Sequence, residues 1–131
     1  MSRSPRILSV GQCSPDHSYI SAWLRSVAGA RTIAVDTKSE ALEMLRAETF
    51  DLVLVNRIGD CDGAPGIDLI RAIRGDAELE RVPVMLVSNH ASAQDEAIAL
   101  GARPGFGKAE IGSAKALERL TAALALKEVV D

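Results

Sequence analysis

The chain alternates between short apolar runs and stretches in which apolar residues recur every three or four positions. The short runs cover residues 6–10, 32–35, 51–56 and 82–88, and residues 105–108 form a weaker fifth run. Runs of this length are typical of strands, and the longer period between them is typical of helices. The pattern therefore predicts five strands and five helices in strict alternation.

Capping signals set the starts of several predicted helices. Ser14 is the predicted N-cap of the first helix. Thr37 and Glu40 have the spacing of a capping box before the second helix. Ser92 and Asp95 have the same spacing, which predicts the start of the fourth helix.

The third predicted strand is apolar for four residues and then stops at Asn56. Such an unbroken run is typical of a parallel strand covered by helices on both faces, so we expect this strand to be central. Right-handed crossovers between alternating strands and helices give one open parallel sheet, doubly wound, in an α/β fold. A chain of 131 residues is the usual size for one domain, here 1–131 with its core at about 6–126.

The composition argues against several classes of function. Aromatic residues make up only 3% of the chain, which argues against base-stacking nucleic-acid modules and against an aromatic-lined pocket. The net charge is −3 and no Lys/Arg run offers a surface for phosphates. No apolar run has the length of a membrane span or a signal peptide. We therefore expect a cytoplasmic protein that contacts neither nucleic acid nor membrane.

Small and polar residues follow the predicted strands directly. Gly11 and Gln12 follow the first strand, and Asn56, Ser88 and Lys108 end the third, fourth and fifth. Because the carboxyl ends of parallel strands meet at one edge of the sheet, ligands of such sheets bind there. We expect the last three residues to converge on one pocket at this edge.

Four segments resemble the receiver domains of bacterial two-component response regulators. They are ALEMLRAETFDLVLVN, GIDLIRAIR, VPVMLVS and GARPGFGK, and the resemblance extends from Arg6 to about Leu126. It implies a flavodoxin-like, five-stranded receiver fold and a role in phosphorelay signal transduction. The domain expected here is thus a single receiver-like one.

The resemblance also aligns the residues of the predicted pocket with the phosphorylation site of receivers. Asn56 stands at the position of the phosphoacceptor aspartate, and Gly11 and Gln12 at that of the acidic pair that holds magnesium. Ser88 and Lys108 match the hydroxyl and the lysine that hold the phosphoryl group. An amide is not a competent nucleophile, and without carboxylates magnesium should bind very weakly. These departures predict a pseudo-receiver that is no enzyme, needs no cofactor and acts by binding a protein partner.

The switch region departs from the family as well. Gly105 stands at the aromatic switch position, and Phe106 follows one place later. The loop from Asn56 to Gly66 is about two residues longer than in the family. Both differences predict that the usual switching does not operate.

The resemblance implies a partner surface formed by the fourth helix, the fifth strand and the fifth helix. In this chain the surface would include Ala93, Ala97, Lys115, Arg119 and the tail 126–130. We expect a monomer or a weak homodimer.

Several interpretations of single residues stay open. Asn56 is alternatively a neutral replacement that hydrogen-bonds Lys108 and nearby backbone. Ser88 is alternatively a cap for backbone groups at the strand end. Asp60 and Asp62 are either turn residues or substitute phosphoacceptors.

A different class of function is a phosphorylation-independent sensor whose pocket binds an anion or a metal. It would use Lys108 and Ser88 for an anion. Thiols and imidazoles are zinc ligands, and those that follow strands on the same edge are Cys13, His17, Cys61 and His90. Their spacing matches no known zinc motif, so we predict no metal site and keep these four as candidates only.

Overall fold

The computed structural model describes the backbone of residues 4–130 and the side chains of residues 4–125. Five parallel strands form one sheet in the order β2-β1-β3-β4-β5. They are β1 (Arg6–Val10), β2 (Arg31–Val35), β3 (Leu52–Asn56), β4 (Val84–Val87) and β5 (Arg103–Phe106). The predicted α/β fold and the central place of the third strand are confirmed.

Five helices cover the two faces of the sheet. They are α1 (Ser14–Ala28), α2 (Lys38–Ala47), α3 (Gly66–Arg74), α4 (Ala91–Ala99) and α5 (Ala114–Val130). Apolar residues of α2, α3 and α4 pack on one face, and those of α1 and α5 pack on the other. Both faces are therefore dry, as a doubly wound parallel sheet requires.

The apolar run of β3 serves both halves of the core. Val53 and Val55 belong to the cluster under α2, α3 and α4, whereas Leu52 and Leu54 belong to the cluster under α1 and α5. Side chains of a strand alternate between the two faces of the sheet, and helices cover both faces here. All four side chains are therefore almost completely buried. Asn56 ends the run at the carboxyl edge of the sheet.

Two of the three predicted helix caps are wrong. Cys13, not Ser14, is the N-cap of α1, and His90, not Ser92, is the N-cap of α4. In α4 the chain turns earlier than predicted, because the Ser88 hydroxyl accepts a hydrogen bond from the His90 backbone N–H. The capping box between Thr37 and Glu40 is confirmed.

The fifth strand begins and ends two residues earlier than predicted. It covers Arg103–Phe106, and its register with β4 is irregular between Met85 and Val87. Lys108 therefore lies beyond the strand, in a single turn of 3-10 helix that covers Lys108–Glu110.

Candidate functional site

A cleft of about 250 Å³ lies at the carboxyl edge of the sheet. Its lining includes Asn56, Ser88 and Lys108, the three residues expected to converge, together with Asn89 and His90. They come from the ends of β3 and β4 and from the turn after β5. The strand order brings them together, because β3, β4 and β5 are neighbours in the sheet.

The Asn56 side chain is a hydrogen-bond donor in this structure. Its Nδ2 donates to the backbone oxygen of Gly11 at 3.0 Å and to that of Ile58 at 2.7 Å. Both partners can only accept, so the position needs an N–H donor. The expected hydrogen bond between Asn56 and Lys108 does not form, and Lys108 pairs with Asp16 instead. The expected hydrogen bonds from Asn56 to nearby backbone are confirmed.

Gly11 allows the β3–α3 loop to lie directly against the end of β1. Its φ is +79°, and a Cβ there would lie 3.1 Å from the Cα of Gly59. Its backbone oxygen accepts hydrogen bonds from the Asp60 N–H, at 2.9 Å, and from Asn56. A larger residue at position 11 would be strained by its backbone conformation and by the close loop.

Gln12 is buried beside this contact. Its side chain is 8% exposed, and neither amide atom has a hydrogen-bond partner among the described residues. A neutral amide tolerates such burial at moderate cost, whereas an unpaired carboxylate would not. The surroundings at position 12 therefore favour a neutral residue.

Lys108 forms an ion pair with Asp16, in the first turn of α1. The distance between Lys108 Nζ and Asp16 Oδ2 is 2.6 Å, and both side chains are about one-third exposed. The hydrogen bond from Lys108, followed by one from the Cys13 thiol, holds the pKa of Asp16 below its ordinary value. The sequence interpretation missed Asp16, although its signal was an acid one turn into the helix after the first strand.

The Ser88 hydroxyl forms a hydrogen bond with nearby backbone. It accepts the His90 N–H at 3.1 Å, which confirms its interpretation as a cap at the strand end. The neighbouring Asn89 side chain accepts the Ala109 N–H at 3.2 Å through its Oδ1. The two loops that border the cleft are thereby tied together.

Asp60 and Asp62 lie in the exposed part of the β3–α3 loop. Asp62 accepts the Ala64 N–H at 3.0 Å, which confirms its role in a turn. Asp60 is fixed by its backbone bond to Gly11.

The four candidate zinc ligands do not assemble into a site. Among the described residues there is no group of three or more His, Cys, Asp or Glu side chains that could hold a metal ion. Cys61 is exposed in the loop, whereas Cys13 is half-buried in the turn before α1. The structure therefore does not bring Cys13, His17, Cys61 and His90 together as a set of ligands.

The residues that align with the family's magnesium ligands do not suit magnesium either. Gly11 has no side chain, Gln12 offers a neutral amide, and Asn56 directs its N–H groups at backbone oxygens. Magnesium prefers a set of oxygen ligands that includes carboxylates.

Gln94 ties α4 to the last two strands. Its Nε2 donates to the backbone oxygens of Leu86 at 2.9 Å and of Ser88 at 3.1 Å, and its Oε1 accepts the Gly105 N–H at 3.1 Å. A Cβ at Gly105 would lie 2.1 Å from the Leu86 oxygen, so only glycine permits this approach. The position of α4 on the sheet is fixed by three hydrogen bonds from one side chain.

Phe106 lies on the opposite face of the sheet from Gln94. It is fully buried in the cluster under α1 and α5, where its ring packs edge-on against Trp23 at a centroid distance of 5.3 Å. Moving this ring toward the surface would open the core.

The residues of the expected partner surface differ in their exposure. Ala97 is completely buried and belongs to the core, because it faces the sheet. Lys115 and Arg119 line a groove of about 280 Å³ between α4, β5 and α5, and Arg119 donates to the Gly105 oxygen. Ala93 is half-buried beside another cavity. The side chains of the tail 126–130 lie outside the described residues.

Comparison with known proteins shows the family. No protein-family model matches the chain. It is 34% identical to the chemotaxis protein CheY of Pseudomonas aeruginosa over 86 residues, which are 66% of this chain and 68% of that protein. It is 31% identical to the chemotaxis protein CheY-3 of Vibrio cholerae over 105 residues, which are 80% and 78% of the two chains. The chain belongs to the CheY-like receiver family, whose members are signalling modules of two-component systems and act through partner proteins.

Solved structures agree with this fold. A response regulator from Thermotoga maritima is 23% identical, with a TM-score of 0.76, and the match covers 94% of this chain and 99% of that one. The receiver domain of a sensor histidine kinase from Pseudomonas aeruginosa, solved with magnesium in its active-site cleft, is 19% identical. Its TM-score is 0.71, with 96% and 99% of the chains covered. No helix among the described residues is long and apolar enough to cross a membrane.

Proposed function

We propose that this receiver module is not phosphorylated at the usual position and acts by binding a protein partner in a bacterial two-component pathway. The observation that carries the proposal is the direction of the Asn56 amide, whose N–H groups point at the oxygens of Gly11 and Ile58. A phosphoacceptor must direct a free lone pair at phosphorus. The Asn56 amide presents N–H donors where a phosphoacceptor would present a nucleophilic oxygen.

The surroundings of Asn56 support the same proposal. Phosphoryl transfer needs a divalent cation to neutralise developing charge. The family's acidic pair aligns with Gly11 and Gln12, and the loop residue Gly59 packs against Gly11. Carboxylates at these positions would be strained at Gly11 and buried without a partner at Gln12.

The groups that match the family's phosphate ligands have other partners. Lys108 is paired with Asp16, and the Ser88 hydroxyl accepts the His90 N–H. An anion in the cleft would have to compete with both interactions. This observation favours a protein-binding module over the alternative of a sensor that binds an anion or metal at Lys108 and Ser88.

A fixed surface favours binding that does not depend on phosphorylation. Gln94 holds α4 against β4 and β5, and the Phe106 ring is packed in the core. The surface of α4, β5 and α5 would therefore present one geometry at all times. Its groove carries charges of both signs, because Lys115 and Arg119 line it together with Asp95 and Glu110.

Intact-mass spectrometry after incubation with magnesium and acetyl phosphate tests the proposal. We expect an unchanged mass, while a phosphorylatable receiver in the same tube gains one phosphoryl group. A stoichiometric adduct would overturn the proposal. Loss of that adduct in an Asp60→Asn, Asp62→Asn double variant would instead establish the loop acids as acceptors.

A further inference from the structure

A larger cavity lies next to the cleft, between the β3–α3 loop and the start of α4. Its volume is about 660 Å³, within the range of about 300–1,000 Å³ that is usual for small-molecule sites. Its apolar wall comes from Ile58 and Pro65 of the loop, Ile67 of α3, Leu86 of β4 and Ala93 of α4. Four separate segments of the chain therefore contribute to one concave apolar surface.

The loop that forms this wall is held by backbone hydrogen bonds. Ile58 and Pro65 form an antiparallel bridge, and the Gly66 N–H donates to the Arg57 oxygen at 2.8 Å. Ile58, which lines the cavity, leaves 41% of its surface exposed. A preformed wall of this kind lowers the entropic cost of binding a ligand.

Ionisable side chains line the same cavity. Arg57 and His90 line both this cavity and the cleft that contains Asn56. Within residues 4–125 the Arg57 guanidinium has no ion pair, although Glu96 lines the same cavity. An unpaired guanidinium beside an apolar wall suits a planar anionic group.

We propose that this cavity binds a small organic anion, with its carboxylate or sulfonate on Arg57 and its apolar body against Ile58, Ile67 and Leu86. Glu96 repels additional negative charge, so the site favours a monoanion. The proposal goes beyond the function proposed above, and it stands whether or not the protein is phosphorylated.

Fluorescence titration with anilinonaphthalene sulfonate tests the site, because this probe joins one sulfonate to an apolar ring system. We expect one saturable site, and binding at least about tenfold weaker for phenyl-naphthylamine, which lacks the sulfonate. Arg57→Gln should weaken binding of the sulfonate about tenfold, and Glu96→Gln should tighten it. Ala93→Leu, which places a larger side chain on the cavity wall, should weaken it as well.

The matched control is Lys115→Gln, which removes a cation from the groove between α4 and α5 and should leave binding unchanged. Thermal unfolding of each variant verifies that it folds, and probe-dependent amide shifts at Ser92 and Ala93 place the probe. Absence of saturable binding would overturn the proposal. So would binding that Lys115→Gln weakens while folded Arg57→Gln and Ala93→Leu leave it intact.

Discussion

Replacing Asn56 by aspartate, the family's phosphoacceptor, should destabilise the protein. The amide donates two hydrogen bonds, to the Gly11 and Ile58 oxygens at 3.0 and 2.7 Å, and a carboxylate can donate none. Each lost bond costs about 0.5–1.5 kcal/mol, and the new negative charge faces two carbonyl oxygens at close range. We expect Asn56→Asp to lower the free energy of unfolding by about 2–4 kcal/mol at neutral pH.

Urea unfolding at two pH values measures this effect and separates its causes. In acid the new carboxyl group becomes protonated and can donate one of the two bonds. The destabilisation relative to the native protein should therefore be smaller near pH 4 than near pH 7. Asn56→Ala, which loses both donors but adds no charge, should be destabilised to a similar extent at both values.

Asn89→Asp is the matched control in the same cleft. The Asn89 side chain accepts the Ala109 N–H through Oδ1, and a carboxylate can accept it equally well. We expect a change within about 0.5 kcal/mol. Equal stability of Asn56→Asp and Asn89→Asp at neutral pH would refute the assignment of Asn56 as an essential donor.

Asn56→Asp should also fail to react with a phosphodonor, because the acidic pair is still missing. Adding Gly11→Asp and Gln12→Asp to this variant is not expected to restore full phosphorylation. Position 11 has a φ of +79° and lies against Gly59, so an aspartate there is strained. Labelling of the single variant would show that a metal site already exists.

Three further predictions concern the neighbouring contacts. Beryllofluoride should not change the association state in sedimentation, because Gly105 carries no side chain to switch; a shift to dimer would contradict this. Gly105→Ala should lower stability by about 2 kcal/mol or more in urea unfolding, because its Cβ would lie 2.1 Å from the Leu86 oxygen; native-like stability would contradict the close approach. Lys108 is the main cause of the lowered pKa of Asp16. The ion pair therefore stabilises the fold at pH values above the ordinary pKa of 3.8. This stabilisation is lost as the pH falls through the lowered pKa. Asp16→Asn should therefore cost less than about 1 kcal/mol at neutral pH and nothing at low pH, and a cost that persists in acid would point to another role.

The fold could be predicted because buried positions of strands and helices are occupied by apolar residues at regular spacing in the sequence. The apolar run before Asn56 required helices on both faces, and the structure places Val53 and Val55 under one set of helices and Leu52 and Leu54 under the other. The start of α4 and the bounds of β5 could not be predicted. The start of α4 depends on the Ser88 hydroxyl, which accepts the His90 N–H before the expected cap. The position of β5 depends on the Gln94 side chain, which accepts the Gly105 N–H from another element.

The site could be predicted as a set of positions but not as a set of contacts. The strand ends gave Asn56, Ser88 and Lys108, since parallel strands end at the same edge. Neither the direction of the Asn56 amide nor the pairing of Lys108 with Asp16 follows from spacing. Both depend on the path of a loop and the rotamer of a side chain, which only the folded structure determines.

The side-chain amide signal of Asn56 in NMR tests the central claim most directly. If its N–H groups bond the Gly11 and Ile58 oxygens, the signal should exchange slowly with water and should not shift when magnesium and then acetyl phosphate are added. The Ser88 and Lys108 backbone signals should stay unchanged as well. Fast exchange of the Asn56 amide, together with saturable shifts of all three signals on addition of magnesium, would show a working metal site and contradict the account.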